Sequence, residues 1–408
     1  MEGNSLKDGT IAEAGARPRG GLSLGEARLR LPRWAAAWGP AWLVMIADVD
    51  AASILTGLES GVAFRYDLVW FLLLLILPLF FVQEAAGRLG AVTGKGLGEL
   101  IRETRSARMS LLAAIPMALA DMASYVAEYA AIALGLGIFG VPLEISLPLT
   151  FFAHIGLVVR GRYVWLERVL LAISALFVVT VGAALMLRGT PEYLSMSFSW
   201  SPSFLFLLAA NAGAVVMPFM LFYQSSATAE KGGATVPGVR RETLVGAMVS
   251  ELLMVAFLLL GAGMPSTANL FTSSGLAGAL AAAGGALLPY AFGIGLIAAA
   301  FLALVVISLG SAWGVVEALR IPRTRAFWAY VLESLPAVAV PLLYPHPLTI
   351  VLSLMLLLVF ILIVPGVLTG LLVTDPRVMG AHASRGWWKV AYWGSLASIV
   401  VCGILGIL

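Results

Sequence analysis

Runs of apolar residues about as long as a membrane is thick recur along most of the chain. A helix needs about 20 apolar residues to cross the hydrocarbon core of a bilayer, and polar residues between such runs mark the connections. We therefore predict eleven spans, at approximately 39–61, 67–88, 110–136, 143–160, 164–187, 203–229, 241–262, 287–317, 325–344, 346–373 and 386–407. Before the first span we expect a disordered cytoplasmic tail over residues 1–33, which leaves 34–408 as the transmembrane domain.

Composition agrees with this pattern and excludes several classes of protein. The 408 residues are 61% hydrophobic and only 12% charged, about half the charged share of a typical soluble domain. The net charge of +3 gives no indication of a nucleic-acid partner. A single cysteine, Cys402, excludes a disulfide or thiolate metal site within one chain. Neither a phosphate-binding loop nor a catalytic triad is present, so we expect no enzyme and no cofactor.

Basic residues fall in alternate connections between the predicted spans. Lys and Arg are concentrated in the second, fourth, sixth, eighth and tenth connections, whereas the odd connections hold only Arg65 and Arg188. Because positive charge marks the cytoplasmic side, this alternation predicts a cytoplasmic N-terminus and a C-terminus outside. We expect a multi-pass protein of the bacterial inner membrane that is surrounded by lipid and monomeric.

The first and sixth predicted spans each contain an interruption. Asp48 and Asp50 lie in the middle of span one, and Pro218 follows Met217 in span six. Proline donates no backbone hydrogen bond and clashes with the preceding turn. Two interrupted helices in corresponding halves of a chain indicate an inverted repeat with a binding site near the midplane. Backbone carbonyls unwound at that depth are free to coordinate a cation.

The acidic pair in span one is the strongest candidate for chemistry. A charge at the bilayer centre costs about 2.5–3.5 kcal/mol or more, and two neighbouring carboxylates repel each other, so a bound cation is the simplest compensation. A hydrogen bond to a neighbouring helix is the alternative for Asp50, and protonation or an aqueous vestibule is the alternative for Asp48. Ser53 offers a hard hydroxyl ligand, or only a bond within its own helix. Met217 offers a soft thioether, or only core packing.

Other polar residues in the spans are less specific. Glu84 and Arg88 have the i, i+4 spacing of a structural ion pair. Asp121 and Glu128 lie seven residues apart and share one helix face, where they line an ion path or are neutral and hydrogen bonded. None of the three histidines, His154, His346 and His382, lies in span one or span six.

Two motifs give the chain a family resemblance. Span two reproduces the pattern QxxxxRLGxVTGxxLxEL, and span six reproduces AxxMP. At these residues the chain resembles the NRAMP family of divalent-metal transporters. The resemblance implies an all-α membrane protein with a LeuT-type inverted repeat, formed by spans 1–5 and 6–10, in which helices 1 and 6 are broken.

The resemblance also implies a metal site. Asp50 and Met217 take the positions of the family's side-chain ligands, and Ala47 and Ala214 take the positions of its carbonyl ligands. Ser53 replaces the family's asparagine. Asp48 is an acid that the family does not normally have at this position.

Further departures from the family bear on the ion and its coupling. Phe219 and Gln224 replace two histidines of span six, so we expect transport without proton coupling, driven by a membrane potential worth about 2.3 kcal/mol per charge per 100 mV. Ser53 and the added Asp48 suit a larger, wetter site. They favour Mg²⁺, which retains water, with Mn²⁺ also carried. This combination resembles the divergent NRAMP-related magnesium transporters, although the Met217 thioether favours softer ions.

Several alternatives remain at this point. The first is an ordinary proton-coupled Mn²⁺/Fe²⁺ importer. An amino-acid transporter of the same fold is a second, although Asp48 and Asp50 would repel a substrate carboxylate. A metal sensor is a third, but the connections are too short for a soluble signalling domain. A membrane enzyme has the least support because catalytic groups are missing.

Overall fold

The computed structural model describes residues 39–160, 163–176, 182, 197–343 and 351–408. The predicted tail over 1–33 lies outside these residues. The described part is helical and contains no β-strand. Its α-helices are α1 (Pro40–Ala47), α2 (Ala51–Phe64), α3 (Val69–Thr93), α4 (Leu97–Thr104), α5 (Ala107–Ile138), α6 (Leu143–Arg160), α7 (Tyr163–Ser174), α8 (Pro202–Val215), α9 (Pro218–Lys231), α10 (Val236–Ala262), α11 (Ser273–Gly284), α12 (Leu288–Leu319), α13 (Phe327–Leu343), α14 (Val351–Thr374), α15 (Pro376–Met379) and α16 (Trp387–Leu405).

Most of the predicted spans correspond to long apolar helices. Within the described ranges, seven helical segments are long and apolar enough to cross a membrane, and the bent pair α1–α2 adds an eighth. Two shorter apolar helices, Leu143–Val159 and Trp328–Leu343, cover further predicted spans. The predicted span 164–187 begins with α7 and then leaves the described residues, so the count of eleven stays a prediction. The pattern missed α4, α11 and the short α15, which lie in connections.

The helices pack into one bundle around a buried apolar core. The long helices α5 and α12 lie against each other, and α10 packs against α1, α2 and α3. Side chains such as Leu74, Leu119 and Phe152 are exposed, as expected for a surface that faces lipid rather than water. Buried polar side chains include Asp48, Asp50 and Ser53, which lie where the first interrupted helix is broken.

Glycines allow α2 and α10 to cross in direct backbone contact. A Cβ atom on Gly61 would collide with the carbonyl oxygen of Leu258, and one on Gly261 would collide with the carbonyl oxygen of Leu58. Small residues at helix crossings let backbones approach closely, which is a main source of helix association in membranes. The contact holds α10 against the second half of the first interrupted span.

Ion pairs gather at one end of the bundle. Glu84 accepts from Arg88 at 3.0 Å and from Arg240 at 2.8 Å, which confirms the predicted pair on α3 and ties it to the start of α10. Glu317, near the end of α12, accepts from Ser226 Oγ at 2.7 Å and pairs with Arg323 at 2.6 Å. These contacts fix α3 to α10 and α12 to α9.

We expect Gly261→Ala to destabilise the bundle by about 1–3 kcal/mol, because the added methyl group overpacks the crossing of α2 and α10. The measurement is thermal unfolding of the purified protein in detergent. Gly156→Ala is the matched control, since a Cβ atom on Gly156 of α6 would meet no atom within 4 Å. Equal unfolding temperatures for the two variants would contradict the proposed crossing.

Candidate metal-binding site at two helix breaks

The first helix break separates α1 from α2. The two helices meet at an angle of 46°, and Asp50 between them has extended backbone with φ −86° and ψ −178°. Asp50 acts as the N-cap of α2, because its Oδ1 accepts from the Ser53 backbone N–H at 2.7 Å. The carboxyl group that sequence analysis singled out therefore also determines where the second half of the span begins.

The second break separates α8 from α9 and has a different cause. Val216 and Met217 are extended, with φ −132° and −87°, and Pro218 is the first residue of α9. Proline is favoured at this first helical position because its fixed φ suits the helix and its missing N–H is not required there. The sequence Met217-Pro218 thus ends one helix and starts the next. Both residues are buried.

Packing brings the two breaks to the same level in the bundle. Helix α1, which precedes the first break, packs against α9, which follows the second break. Conversely, α2 packs against α8. The first half of each interrupted segment thus packs against the second half of the other. This arrangement places the two breaks next to each other, so Asp50 and Met217 lie at a common depth.

Each break also leaves one backbone carbonyl without its helical donor, and these are the two carbonyls that the family resemblance predicted as ligands. In a continuous helix the Ala47 carbonyl would accept from the N–H of Ala51, but that N–H donates to Glu128 Oε2 at 3.3 Å. The Ala214 carbonyl would accept from residue 218, which is a proline and has no N–H. Both carbonyls therefore lack their helical donors and are available to a ligand.

Glu128 of α5 is the residue whose position the sequence did not reveal. Its carboxyl group faces that of Asp50, and both side chains are fully buried. Asp50 Oδ2 and Glu128 Oε1 have no hydrogen-bond partner. The shared helix face of Asp121 and Glu128 was the only sequence signal, and it did not indicate which helix Glu128 contacts.

The remaining two predicted ligands have other partners. Ser53 donates from Oγ to the Asp48 carbonyl at 2.7 Å, so its hydroxyl ties the start of α2 to the end of α1. The Asp48 carboxylate accepts from Ser250 Oγ of α10 at 2.9 Å. Asp48 and Asp50 thus turn toward different helices, α10 and α5, rather than forming one pair of ligands.

Histidine does not contact either break in the described part of the chain. His154 of α6 lies between the Tyr129 hydroxyl, at 3.0 Å, and Ser308 Oγ, at 2.7 Å. Gln224, which replaces one of the family's histidines, donates from its side-chain amide to Thr243 Oγ1 at 3.0 Å. No group of three or more His, Cys, Asp or Glu side chains in the described ranges is placed to hold a metal. An ion at the breaks would therefore need ligands other than three such side chains.

Solved structures define the class of protein to which this arrangement belongs. The manganese transporter of Eremococcus coleocola superposes with a TM-score of 0.77 at 19% identity, over 95% of this chain and 89% of that one. MhsT in complex with L-phenylalanine gives 0.61 at 15% identity, over 92% and 98%. The chain therefore has a LeuT-type fold, a class of multi-pass membrane proteins.

Sequence comparison then identifies the family within that class. The model of the Nramp family, natural resistance-associated macrophage protein-like, matches residues 41–408. The chain belongs to the Nramp family.

Curated relatives are similar over part of their length. The divalent metal cation transporter MntH of Verminephrobacter eiseniae is 27% identical over 241 residues, which is 55% of each chain. That of Bacillus subtilis is 30% identical over 253 residues, or 58% of each chain. The chain thus aligns with about half the length of these relatives.

We expect Pro218→Ala to weaken Mn²⁺ binding by about tenfold or more, because an N–H at this position satisfies the Ala214 carbonyl and lets the helix continue. Isothermal titration of the purified protein with Mn²⁺ measures the change. The matched control is Pro365→Ala, which removes a buried proline from inside α14. Unchanged affinity in Pro218→Ala would show that the proline-made break is not needed for binding.

Proposed function

We propose that this chain carries divalent metal ions across the membrane by alternating access, through the site between the two helix breaks. Asp50, Met217 and the carbonyls of Ala47 and Ala214 would be the ligands. The observation that carries the proposal is the buried Asp50 Oδ2, which accepts no hydrogen bond and belongs to the break that also deprives the Ala47 carbonyl of its helical donor. Family membership and relatives named as divalent metal cation transporters support the same conclusion.

The proposed ligand set is charged and coordinates from oxygen and sulfur. One carboxylate and two carbonyls suit hard cations such as Mg²⁺ and Mn²⁺, whereas the thioether of Met217 favours the softer members of the divalent series. Ser53 remains near the site, but its hydroxyl hydrogen is engaged by the Asp48 carbonyl. We infer that the ion retains water at the position of the family's asparagine, and that Mg²⁺ is carried together with Mn²⁺.

The absence of histidine from the breaks supports transport without proton coupling. The two ring nitrogens of His154, a buried histidine of α6, form hydrogen bonds with the Tyr129 and Ser308 hydroxyls. Uptake of a dication would then be driven by the membrane potential, which favours entry of positive charge.

Liposomes containing the purified protein should take up both Mg²⁺ and Mn²⁺, and each ion should compete with the other. Asp50→Asn should reduce uptake by about tenfold or more, because it removes the charge that replaces part of the hydration shell. Asp121→Asn, which removes an equally buried carboxylate from α5, is the control and should retain uptake. Entry of Mn²⁺ without faster entry of Mg²⁺ than in empty vesicles would make the magnesium assignment wrong.

A proton-coupled Mn²⁺/Fe²⁺ importer is the second candidate, and Glu128 favours it. A carboxyl group that faces Asp50 and has one oxygen, Oε1, without a partner can release or accept a proton when a metal arrives. The uncoupled proposal predicts no pH change inside vesicles during Mn²⁺ uptake, as measured with an enclosed pH-sensitive dye. Acidification that is lost in Glu128→Gln would instead support the second candidate.

A further inference from the structure

Helix α10 presents a second acidic group to the first break. It packs against both α1 and α2 and therefore runs alongside the residues that separate them. Ser250 of α10 donates to Asp48 Oδ2 at 2.9 Å. The next residue, Glu251, is fully buried and lies close enough for its charge to act on Asp48. Asp48, Ser250 and Glu251 thus form a cluster on the α10 side of the break.

Most of the oxygens in this cluster have no partner. Asp48 Oδ1 and both carboxylate oxygens of Glu251 are buried and accept no hydrogen bond. No Lys or Arg in the described ranges forms an ion pair with either residue. A buried carboxylate without a partner is costly, and a second one whose charge acts on it adds to that cost. A cation bound by both Asp48 and Glu251 would offset this cost.

The cluster is distinct from the proposed transport site. The Asp50 carboxyl group interacts with Glu128 of α5, whereas the Asp48 carboxylate bonds Ser250 of α10. The first break thus has one carboxyl pair on each side. A single dication bound at Asp50 offsets the charge of one pair and leaves the other uncompensated.

We propose that Asp48, Glu251 and the Ser250 hydroxyl hold a second cation beside the transported ion. This inference rests on the proposed function only in assigning Asp50 to transport. Carboxylate and hydroxyl oxygens select a hard cation. Na⁺ and a second divalent ion share that chemistry, and the two sources are separated by experiment.

The test is isothermal titration of the full-length protein with Mn²⁺, in buffer containing either Na⁺ or choline. Glu251→Gln removes one charge at nearly constant volume, and Glu333→Gln is the control because Glu333 is also buried but lies on α13. If the second ion is divalent, the unmodified protein binds one more Mn²⁺ per chain than Glu251→Gln. If it is Na⁺, replacing choline with Na⁺ changes Mn²⁺ affinity by about tenfold in the unmodified protein and leaves Glu251→Gln unaffected.

Glu333→Gln should behave like the unmodified protein in both buffers. Identical Mn²⁺ stoichiometry and identical Na⁺ dependence in Glu251→Gln and the unmodified protein would overturn the inference, since the pair would then hold only a proton. Should Glu251→Gln fail to fold, Ser250→Ala keeps both carboxylates and should still weaken the effect of the second cation.

Asp50→Asn separates this inference from the proposed function. It should reduce transport by about tenfold or more, while the second cation still raises the unfolding temperature. This rise should be absent from the double variant with Glu251→Gln. Absence of transport by the unmodified protein would overturn the proposed function alone. Loss of the second-cation effect in Asp50→Asn would overturn the separation of the two sites.

Discussion

The structure depends on the requirement that backbone polar groups buried in a membrane find partners inside the protein. A continuous helix meets this requirement within itself, and each of the two breaks gives up part of it. At the first break, side chains take over: Asp50 caps α2, Ser53 bonds the Asp48 carbonyl, and Glu128 accepts the Ala51 N–H. At the second break, Pro218 removes a donor. The groups left over, two carbonyls and one carboxylate oxygen, are those suited to a cation.

The region around the first break also concentrates buried acidic side chains. Four buried carboxyl groups lie at or near the first break: Asp48 and Asp50 belong to the break itself, α5 supplies Glu128 and α10 supplies Glu251. Elsewhere in the bundle, acids such as Glu84 and Glu317 are paired with arginine at the helix ends. Among the described residues, the protein thus pairs acids at one end of the bundle with arginine and leaves these four interior acids without a basic partner.

The fold is shared by proteins that differ widely in sequence. Chains as little as 15% identical share the fold, so the fold alone does not identify what is carried. Under the proposed function, the identity of the ion depends on the ligands at the first break, where the Ser53 hydroxyl bonds the Asp48 carbonyl and the Asp48 carboxylate bonds Ser250 of α10. Two of the residues at which this chain departs from the family pattern, Asp48 and Ser53, lie at the first break.

Several features could be predicted from the sequence because they depend on local chemistry. Apolar length predicts membrane helices, Pro218 lacks an N–H in any environment, and the spacing of Glu84 and Arg88 allows an ion pair within one helix. The nomination of Asp50 followed from the cost of a charge in lipid. That of Ala47 and Ala214 followed from family resemblance, and the geometry of the breaks explains it, since both lose their helical donors.

Tertiary structure decided which side chains meet across the breaks. Glu128 is 78 residues from Asp50 in the chain and Glu251 is 203 residues from Asp48, and neither helix periodicity nor composition specifies contacts between distant helices. Likewise, Asp48 and Asp50 are neighbours in sequence, yet the bend between α1 and α2 turns them toward different helices. Sequence reveals the cost of burying each carboxyl group, whereas only the packing of α5 and α10 reveals which groups bear that cost together.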